Sequence, residues 1–231
     1  MTAIAIFVKT PGLSPIKTRL AADVGPTLAV ECHLRCARSV AAVARAAAIG
    51  PVYWAVAEAE GAQYPAWQGL PILVQRGFGL GERMQSIHDE LIRRHGRAML
   101  LGADLPQLDS ADLVTASARL REPGPQVVIG PAGDGGFWLI AANRALPATV
   151  WRAPDYACAD VMQRFVAAAG DTSHWTRLAV RTDLDRAGDL AAVIDELRRL
   201  RSPHELQAQL VEWLAELPDP LHSRPEQRSD P

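Results

Sequence analysis

Short apolar runs alternate along this chain with longer segments in which apolar side chains recur every three or four positions. The first run, Ala3–Val8, reads as a strand, and further strands are predicted over residues 52–57, 71–74, 97–101, 126–130, 137–142 and 176–180. The 97–101 run has the continuous apolar character of a strand buried on both faces of a parallel sheet. Helical spacing predicts helices over residues 27–48, 80–95, 157–169 and 187–201, and Gly50-Pro51 stops the first of them. Asp109 or Ser110 is placed to cap one more, running to Arg121. Alternation of this kind predicts an α/β fold, a three-layer Rossmann-like sandwich with a mostly parallel sheet. Right-handed crossovers then gather the loops that follow the parallel strands on one edge.

Residues 1–201 read as one domain. After Ser202-Pro203 a short amphipathic helix is expected over 204–217, and residues 218–231 read as a disordered polar tail. At 231 residues, 48% of them hydrophobic, the chain is long enough to bury a full core. The formal charge of −2 supplies no field for nucleic acid or an anionic membrane, so a small ligand is the expected partner. The first apolar run is too short for a signal peptide and lacks a positive leader, and no apolar run is long enough to span a bilayer. The expectation is a cytoplasmic protein without a membrane span.

Cys32, Cys36 and Cys158 are an odd number, which argues against a disulfide framework. Cys32 and Cys36, at i and i+4 around His33, read as small buried residues of an Ala-rich helix in preference to a metal pair. No His pair has zinc spacing, and no Gly-x-Ser-x-Gly elbow is present.

Candidate chemistry collects immediately after the strands, where open α/β sheets bind ligands. The first loop, Lys9-Thr10-Pro11-Gly12-Leu13-Ser14-Pro15-Ile16-Lys17-Thr18-Arg19, sets three cations among Gly, Pro and hydroxyl residues. It reads as an anion-binding loop, against the alternative of a basic surface turn; it has neither Walker A nor Gly-x-Gly-x-x-Gly spacing. Asp104, in Gly102-Ala103-Asp104-Leu105-Pro106, is a carboxylate at a buried strand's end, either a turn residue or a rigid ligand of the kind Mg²⁺ or Mn²⁺ uses while holding phosphate oxygens. Asp183 and Asp185 follow the last predicted strand; both flank a metal, or one caps the next helix. Gly130-Pro131-Ala132-Gly133-Asp134-Gly135-Gly136 permits close approach of a ligand to the backbone, or makes a hairpin-like turn with a solvated Asp134. Arg76-Gly77-Phe78-Gly79-Leu80-Gly81-Glu82-Arg83-Met84 leads into a helix whose N-terminus favours an anion, unless Glu82 and Arg83 pair with neighbours on a solvated face. Cations for a polyphosphate beside carboxylates for a divalent metal describe a nucleotide-dependent transferase that needs no covalent nucleophile.

Phe7-Val8-Lys9-Thr10-Pro11-Gly12 through Lys17-Thr18-Arg19-Leu20, then Gly81-Glu82-Arg83-Met84, Gly102 to Pro106, Gly130-Pro131 with Asp134-Gly135-Gly136, and Asp183-Leu184-Asp185 with Asp189-Leu190 form a collinear set. Together they resemble a bacterial family of GT-A-type glycosyltransferases long known as a domain of unknown function, within the nucleotide-diphospho-sugar transferase superfamily. The framework is also similar to phospholactate guanylyltransferases and molybdenum-cofactor nucleotidyltransferases. The resemblance implies a single-domain GT-A fold that binds Mg²⁺ or Mn²⁺. It implies that Lys17 and Arg19 contact phosphates, with Lys9, Thr10, Pro11, Gly12, Gly81, Glu82 and Arg83 around the nucleotide. Asp104 would be the central metal ligand and Asp185 the second, with Asp183 the competing choice. Asp134, Gly135 and Gly136 would meet sugar or acceptor, Asp134 being the candidate base.

Two positions depart from the pattern. Arg186-Ala187-Gly188-Asp189-Leu190 stands where the superfamily has Thr-Pro-Glu-Asp-Leu, and Gly79 replaces the Asp of Gly-Asp-Leu-Gly-Glu-Arg-Met. The function expected from the resemblance is transfer of a sugar from a nucleotide-sugar to a small acceptor. The alternative is transfer of a nucleotide from a nucleoside triphosphate to a phosphorylated small molecule, which the charge of Lys9, Lys17 and Arg19 favours slightly. A non-catalytic nucleotide-binding protein is a third reading, motivated by Gly79.

Overall fold

The computed structural model describes residues 1–217, and the predicted tail lies outside them. Seven strands form one sheet: β1 (Ala3–Val8), β2 (Val52–Val56), β3 (Ile72–Val74), β4 (Ala98–Gly102), β5 (Gln126–Pro131), β6 (Phe137–Ala142) and β7 (His174–Arg177). Their order is β3-β2-β1-β4-β6-β5-β7. Neighbouring pairs are parallel except where β6 runs against β4 and β5. Among the described residues eight α-helices surround it: α1 (Thr18–Val24), α2 (Pro26–Ala46), α3 (Leu80–His95), α4 (Ser110–Arg119), α5 (Ala148–Arg152), α6 (Val161–Ala169), α7 (Leu190–Arg198) and α8 (Glu205–Ala215). Among the described residues, no helix is long and apolar enough to cross a membrane.

Period-two alternation sorts the side chains of β1 between two cores. Ile4, Ile6 and Val8 join α2 and α4 in one buried cluster, while Ala3 and Ala5 join α3, α5 and α6 in the other. The sheet is therefore covered on both faces, which is why its central strands read as unbroken apolar runs. A third cluster joins α1, α2, α7 and α8 through Leu20, Cys32, Cys36, Leu184, Val193, Leu210 and Leu214. Cys32 and Cys36 are fully buried there, as core residues. Residues 204–217 are packed onto the sandwich: the Gln207 amide donates to the Pro106 and Leu108 carbonyls at 2.7 and 2.9 Å.

Several boundaries differ from the sequence reading. The first long helix begins at Pro26, and α1 precedes it in what read as loop; Gly25, at φ 90°, turns the chain between them. The helix expected from residue 157 begins at Val161, because Asp155 accepts from the Ala157 N–H and holds the preceding residues in a turn. Helix α5 has five residues, too few for a periodic signal. The last strand lies upstream of its expected place, its register set by Gln126 opposite His174. Residues 130–136 close the β5–β6 hairpin, with a register shift at Gly130/Pro131. Asp109 caps α4 by accepting from the Ala111 N–H at 2.9 Å.

β1 has β2 on one side and β4 on the other, so the crossovers leave it in opposite directions. In open α/β sheets the crevice for ligands opens at such a reversal, beyond the carboxyl ends of the strands.

Candidate active site

A cavity of about 410 Å³ lies at that reversal. Lys9, Lys17, His33, Arg83, Asp104 and Asp185 are its charged and ionisable lining residues, and Phe7, Leu80, Met84, Phe137 and Ile140 are among its apolar ones. The lining thus gathers members of four of the sequence segments, from the ends of β1 and β4, the start of α3 and the segment after β7.

The first loop is built around a buried anchor. Thr10 receives the Trp67 indole N–H on its hydroxyl at 3.2 Å, and its own backbone N–H donates to Glu58 at 2.9 Å. A Cβ on Gly61 would stand 2.2 Å from that hydroxyl, so glycine is required beside it. The Thr10 side chain therefore faces the interior, away from the nucleotide position that the resemblance implies for it. Pro11 and Gly12 turn the chain: the Leu13 and Ser14 N–H groups both donate to the Thr10 carbonyl, with Gly12 at φ 86°. Lys9 is exposed, and among the described residues it makes no ion pair.

Lys17 differs from expectation. Its backbone is left-handed, φ 40° and ψ 54°, at the N-cap of α1. That conformation costs an L-residue roughly 1–2 kcal/mol and turns the side chain inward. The ammonium stands 2.7 Å from Asp104 Oδ1 with only 2% of the side chain exposed, and donates to the Leu184 carbonyl in a short contact. Arg19 pairs with Asp185 at 2.6 Å on the surface. Both residues expected to touch phosphate are thus held by the carboxylates expected to touch metal.

His33 completes the arrangement and escaped the sequence reading. From the buried face of α2 its Nε2 reaches the Lys9 carbonyl at 3.0 Å, and its Nδ1 lies 3.7 Å from Asp104 Oδ1. Its signal was one polar ring on an otherwise Ala-rich buried face. Gln75 also escaped notice: it donates to the Ala55 carbonyl at 2.8 Å, which leaves its own carbonyl oxygen as an acceptor beside the cavity.

The electrostatics follow from these contacts. Burial works against the charge on Asp104, but the Lys17 ammonium and then His33 outweigh it and hold the carboxyl below the usual range. Burial likewise opposes the charge on Lys17, and Asp104 chiefly overcomes it, raising that pKa. Asp183 is pushed up to about 7, first by burial and then by Asp104 and Asp134, with Lys17 opposing. Asp104 and Asp185, each paired with one cation, thus stand with Asp183 in one acidic cluster. Among the described residues no three side chains already converge into a metal shell. Carboxylate oxygens are the donors that Mg²⁺ or Mn²⁺ takes, and one or two of them would hold such an ion only with phosphate oxygens completing its shell.

The segment carrying Asp185 is pinned from two sides. Asp189 accepts from the Asp185 and Arg186 N–H groups at 2.9 and 2.7 Å, and Leu184 N–H donates to the Asp104 carbonyl at 3.0 Å. Asp189 thus does the work of a loop brace. On the hairpin, exposed Asp134 accepts from the Gly136 N–H at 2.9 Å. Gly135, at φ 90°, packs so closely that a Cβ would lie 1.7 Å from the Ala159 carbonyl. None of Asp134, Gly135 and Gly136 lines the cavity itself.

At the start of α3, Gly81 and Glu82 are occupied structurally. A Cβ on Gly81 would meet the Trp151 carbonyl at 2.1 Å, so glycine lets α3 and α5 approach. Glu82 accepts from the Phe78 N–H at 3.1 Å, bracing the helix start, and Arg83 alone of the three lines the cavity. Gly79 is the N-cap of α3 and makes no side-chain cap. The Asp found there in the family pattern would stand at a capping position, and its loss removes a cap from the helix.

The strand order and the cavity at its reversal define the fold of the nucleotide-diphospho-sugar transferases. The chain belongs to the bacterial family of uncharacterized conserved proteins called DUF2064, whose model matches residues 39–158. The match spans the start of α3, Asp104 and the glycine hairpin, while the first loop and Asp183 to Asp189 lie outside it. No curated protein matches the chain in sequence. Among solved structures it is similar to a protein of Desulfovibrio desulfuricans G20 assigned as a nucleotide-diphospho-sugar transferase, with 25% identity and a TM-score of 0.77 over 93% of this chain and 99% of that one. It shares its fold with CMP:2-keto-3-deoxy-manno-octonic acid synthetase, solved with CTP, at 13% identity and a TM-score of 0.53 over 84% and 97% of the two chains. A homolog of Rv0371c from Mycobacterium sp. strain JC1 has the same fold at 16% identity and a TM-score of 0.50, covering 91% of this chain and 98% of its own.

Proposed function

We propose that this protein is a transferase that takes a nucleotide-sugar as donor, works with a divalent cation, and passes the sugar to a small acceptor. The observation that carries the reading is the pairing of Lys17 with Asp104 and of Arg19 with Asp185. It leaves Lys9 and Arg83 as the cavity-lining cations without a carboxylate partner among the described residues. Two such charges and one divalent ion are enough for a diphosphate, and in the protein without ligand the further charge of the first loop, which favoured a triphosphate, is engaged by carboxylates. The 25% identical relative, assigned as a nucleotide-diphospho-sugar transferase, supports the same donor.

In this reading Lys9 and Arg83 hold the diphosphate against the ends of β1 and α3, and the apolar wall excludes water from the remainder of the ligand. Asp104 would hold the cation together with Asp185 or Asp183. When bound, that ion neutralises charge developing on the leaving diphosphate. His33 fixes the Lys9 carbonyl and, through it, the loop that presents the Lys9 side chain. Asp134, exposed beside the acidic cluster, is the candidate base for the acceptor hydroxyl. Gly135 and Gly136 serve the reading by shaping the hairpin that presents it.

Incubation with Mn²⁺, a panel of nucleotide-sugars and, separately, nucleoside triphosphates tests the proposal. Acceptor-dependent release of nucleoside diphosphate is expected. Release of pyrophosphate from triphosphates would replace it with nucleotidyl transfer, and tight nucleotide binding without turnover across a broad acceptor panel would replace it with a binding protein.

A further inference from the structure

We infer that Lys17 is a built-in cation that keeps the metal position closed, so that the divalent ion enters together with the nucleotide and not ahead of it. The inference rests on the proposed nucleotide reading and concerns how that site is loaded.

One ammonium group joins the two segments that carry every candidate metal carboxylate. It stands 2.7 Å from Asp104 Oδ1 and donates to the carbonyl of Leu184, the residue between Asp183 and Asp185. The placement is built into the backbone: Lys17 is left-handed, its carbonyl accepts from the Ala21 N–H at 2.7 Å, and its neighbours Ile16 and Leu20 are buried. These anchors leave the ammonium aimed inward, at the position a cation would take.

An ammonium and a divalent ion cannot share Asp104 Oδ1 cheaply. Both would lie within about 4 Å of one another, beside a Lys17 side chain only 2% exposed, where water screens like charges poorly. Either the ion stays away or the ammonium moves. Movement is available to it, because Lys17 lines the cavity as well as the acidic cluster and its four-carbon stem is flexible. A diphosphate in the cavity would offer the ammonium a new anionic partner. It would also bring oxygens to complete the ion's shell. Nucleotide and metal would then bind with strong positive coupling, and the empty protein would keep Asp104 neutralised without any metal.

The test is Mn²⁺ binding followed by electron paramagnetic resonance on the parent and on Lys17→Gln, each with and without uridine or guanosine diphosphate. Without nucleotide, the variant is expected to bind Mn²⁺ at least tenfold more tightly than the parent. The boost that a diphosphate gives to Mn²⁺ affinity should be larger in the parent. Equal or weaker Mn²⁺ binding by the folded variant would overturn the inference. If neither protein binds a diphosphate but the variant still gains Mn²⁺ affinity, the competition stands and the nucleotide reading fails. Should the variant not fold, the parent still decides. Its Lys17 ¹⁵Nζ resonance must move when Mg²⁺ and diphosphate are added together, and an unmoved resonance at saturation would contradict the proposal.

Discussion

The two flanks of the cavity use their charged motif residues in opposite ways. On the flank of the first loop, acid and base face each other directly, Lys17 with Asp104 and Arg19 with Asp185, and Asp183 is left over. On the flank of α3, Gly81 makes room for the Trp151 carbonyl and Glu82 braces the helix start, so Arg83 alone turns to the cavity. Residues drawn from one collinear set are thus an electrostatic device on one side and a packing and capping device on the other. Substitutions of the paired residues on the first flank should change ligand affinity and pH dependence, and those of Gly81 and Glu82 on the second should change stability.

The largest effect is expected for Asp104→Asn. It removes the partner of a buried ammonium together with the central candidate metal ligand, and nucleoside diphosphate affinity in Mn²⁺ should fall roughly a hundredfold or more by calorimetry. Affinity equal to the parent's would erase the distinction between the flanks.

Asp183→Asn sharpens the comparison through pH. The folded-state pKa of Asp183, about 7, lies above the ordinary carboxylate value, so the native state binds more protons than the unfolded state between about pH 4 and 7. Stability of the parent should therefore fall as pH rises through that window. The variant should be more stable at pH 8, by on the order of 1 kcal/mol or more, and should lose its advantage near pH 4. Urea denaturation at the two pH values measures this, and a gain independent of pH would contradict the assignment.

On the opposite flank, Gly81→Ala should cost roughly 1–3 kcal/mol of stability, since its Cβ would overlap the Trp151 carbonyl. A loss of nucleotide affinity without a loss of stability would move Gly81 to the ligand side. The smallest effect belongs to Gly79→Asp. Gly79 has an ordinary extended φ of −125° and open space where a Cβ would go, so the substitution should restore the cap and stabilise the protein by a few tenths of a kcal/mol. Thermal melting would detect it, with metal affinity expected to stay unchanged.

Much of the fold could be read from local pattern because the sheet's central strands are buried on both faces. The apolar runs of β1, β4 and β6 carry that burial in their composition, and Asp109 carries its capping role in its position. The short α1 and α5 left no comparable trace, since a helix of one or two turns is set by its tertiary surroundings. In the site, strand-end position was enough to single out Asp104 and Lys9. Local sequence could not say which partner a side chain takes. Lys17 meets Leu184 across 167 positions, and Thr10 meets Trp67 across 57. His33 was hidden for a related reason: it stands on a buried helix face, and only the approach of β1 and β4 brings Lys9 and Asp104 to it.

The central claim is that the cavity at the sheet's reversal binds a nucleoside diphosphate through a divalent cation. Calorimetric titration of the metal-free parent with uridine and guanosine diphosphates, in Mn²⁺ and again in chelator, tests it most directly. Binding in Mn²⁺ that disappears with chelator is the result expected. Equal binding of a diphosphate under both conditions, or none under either, would contradict it.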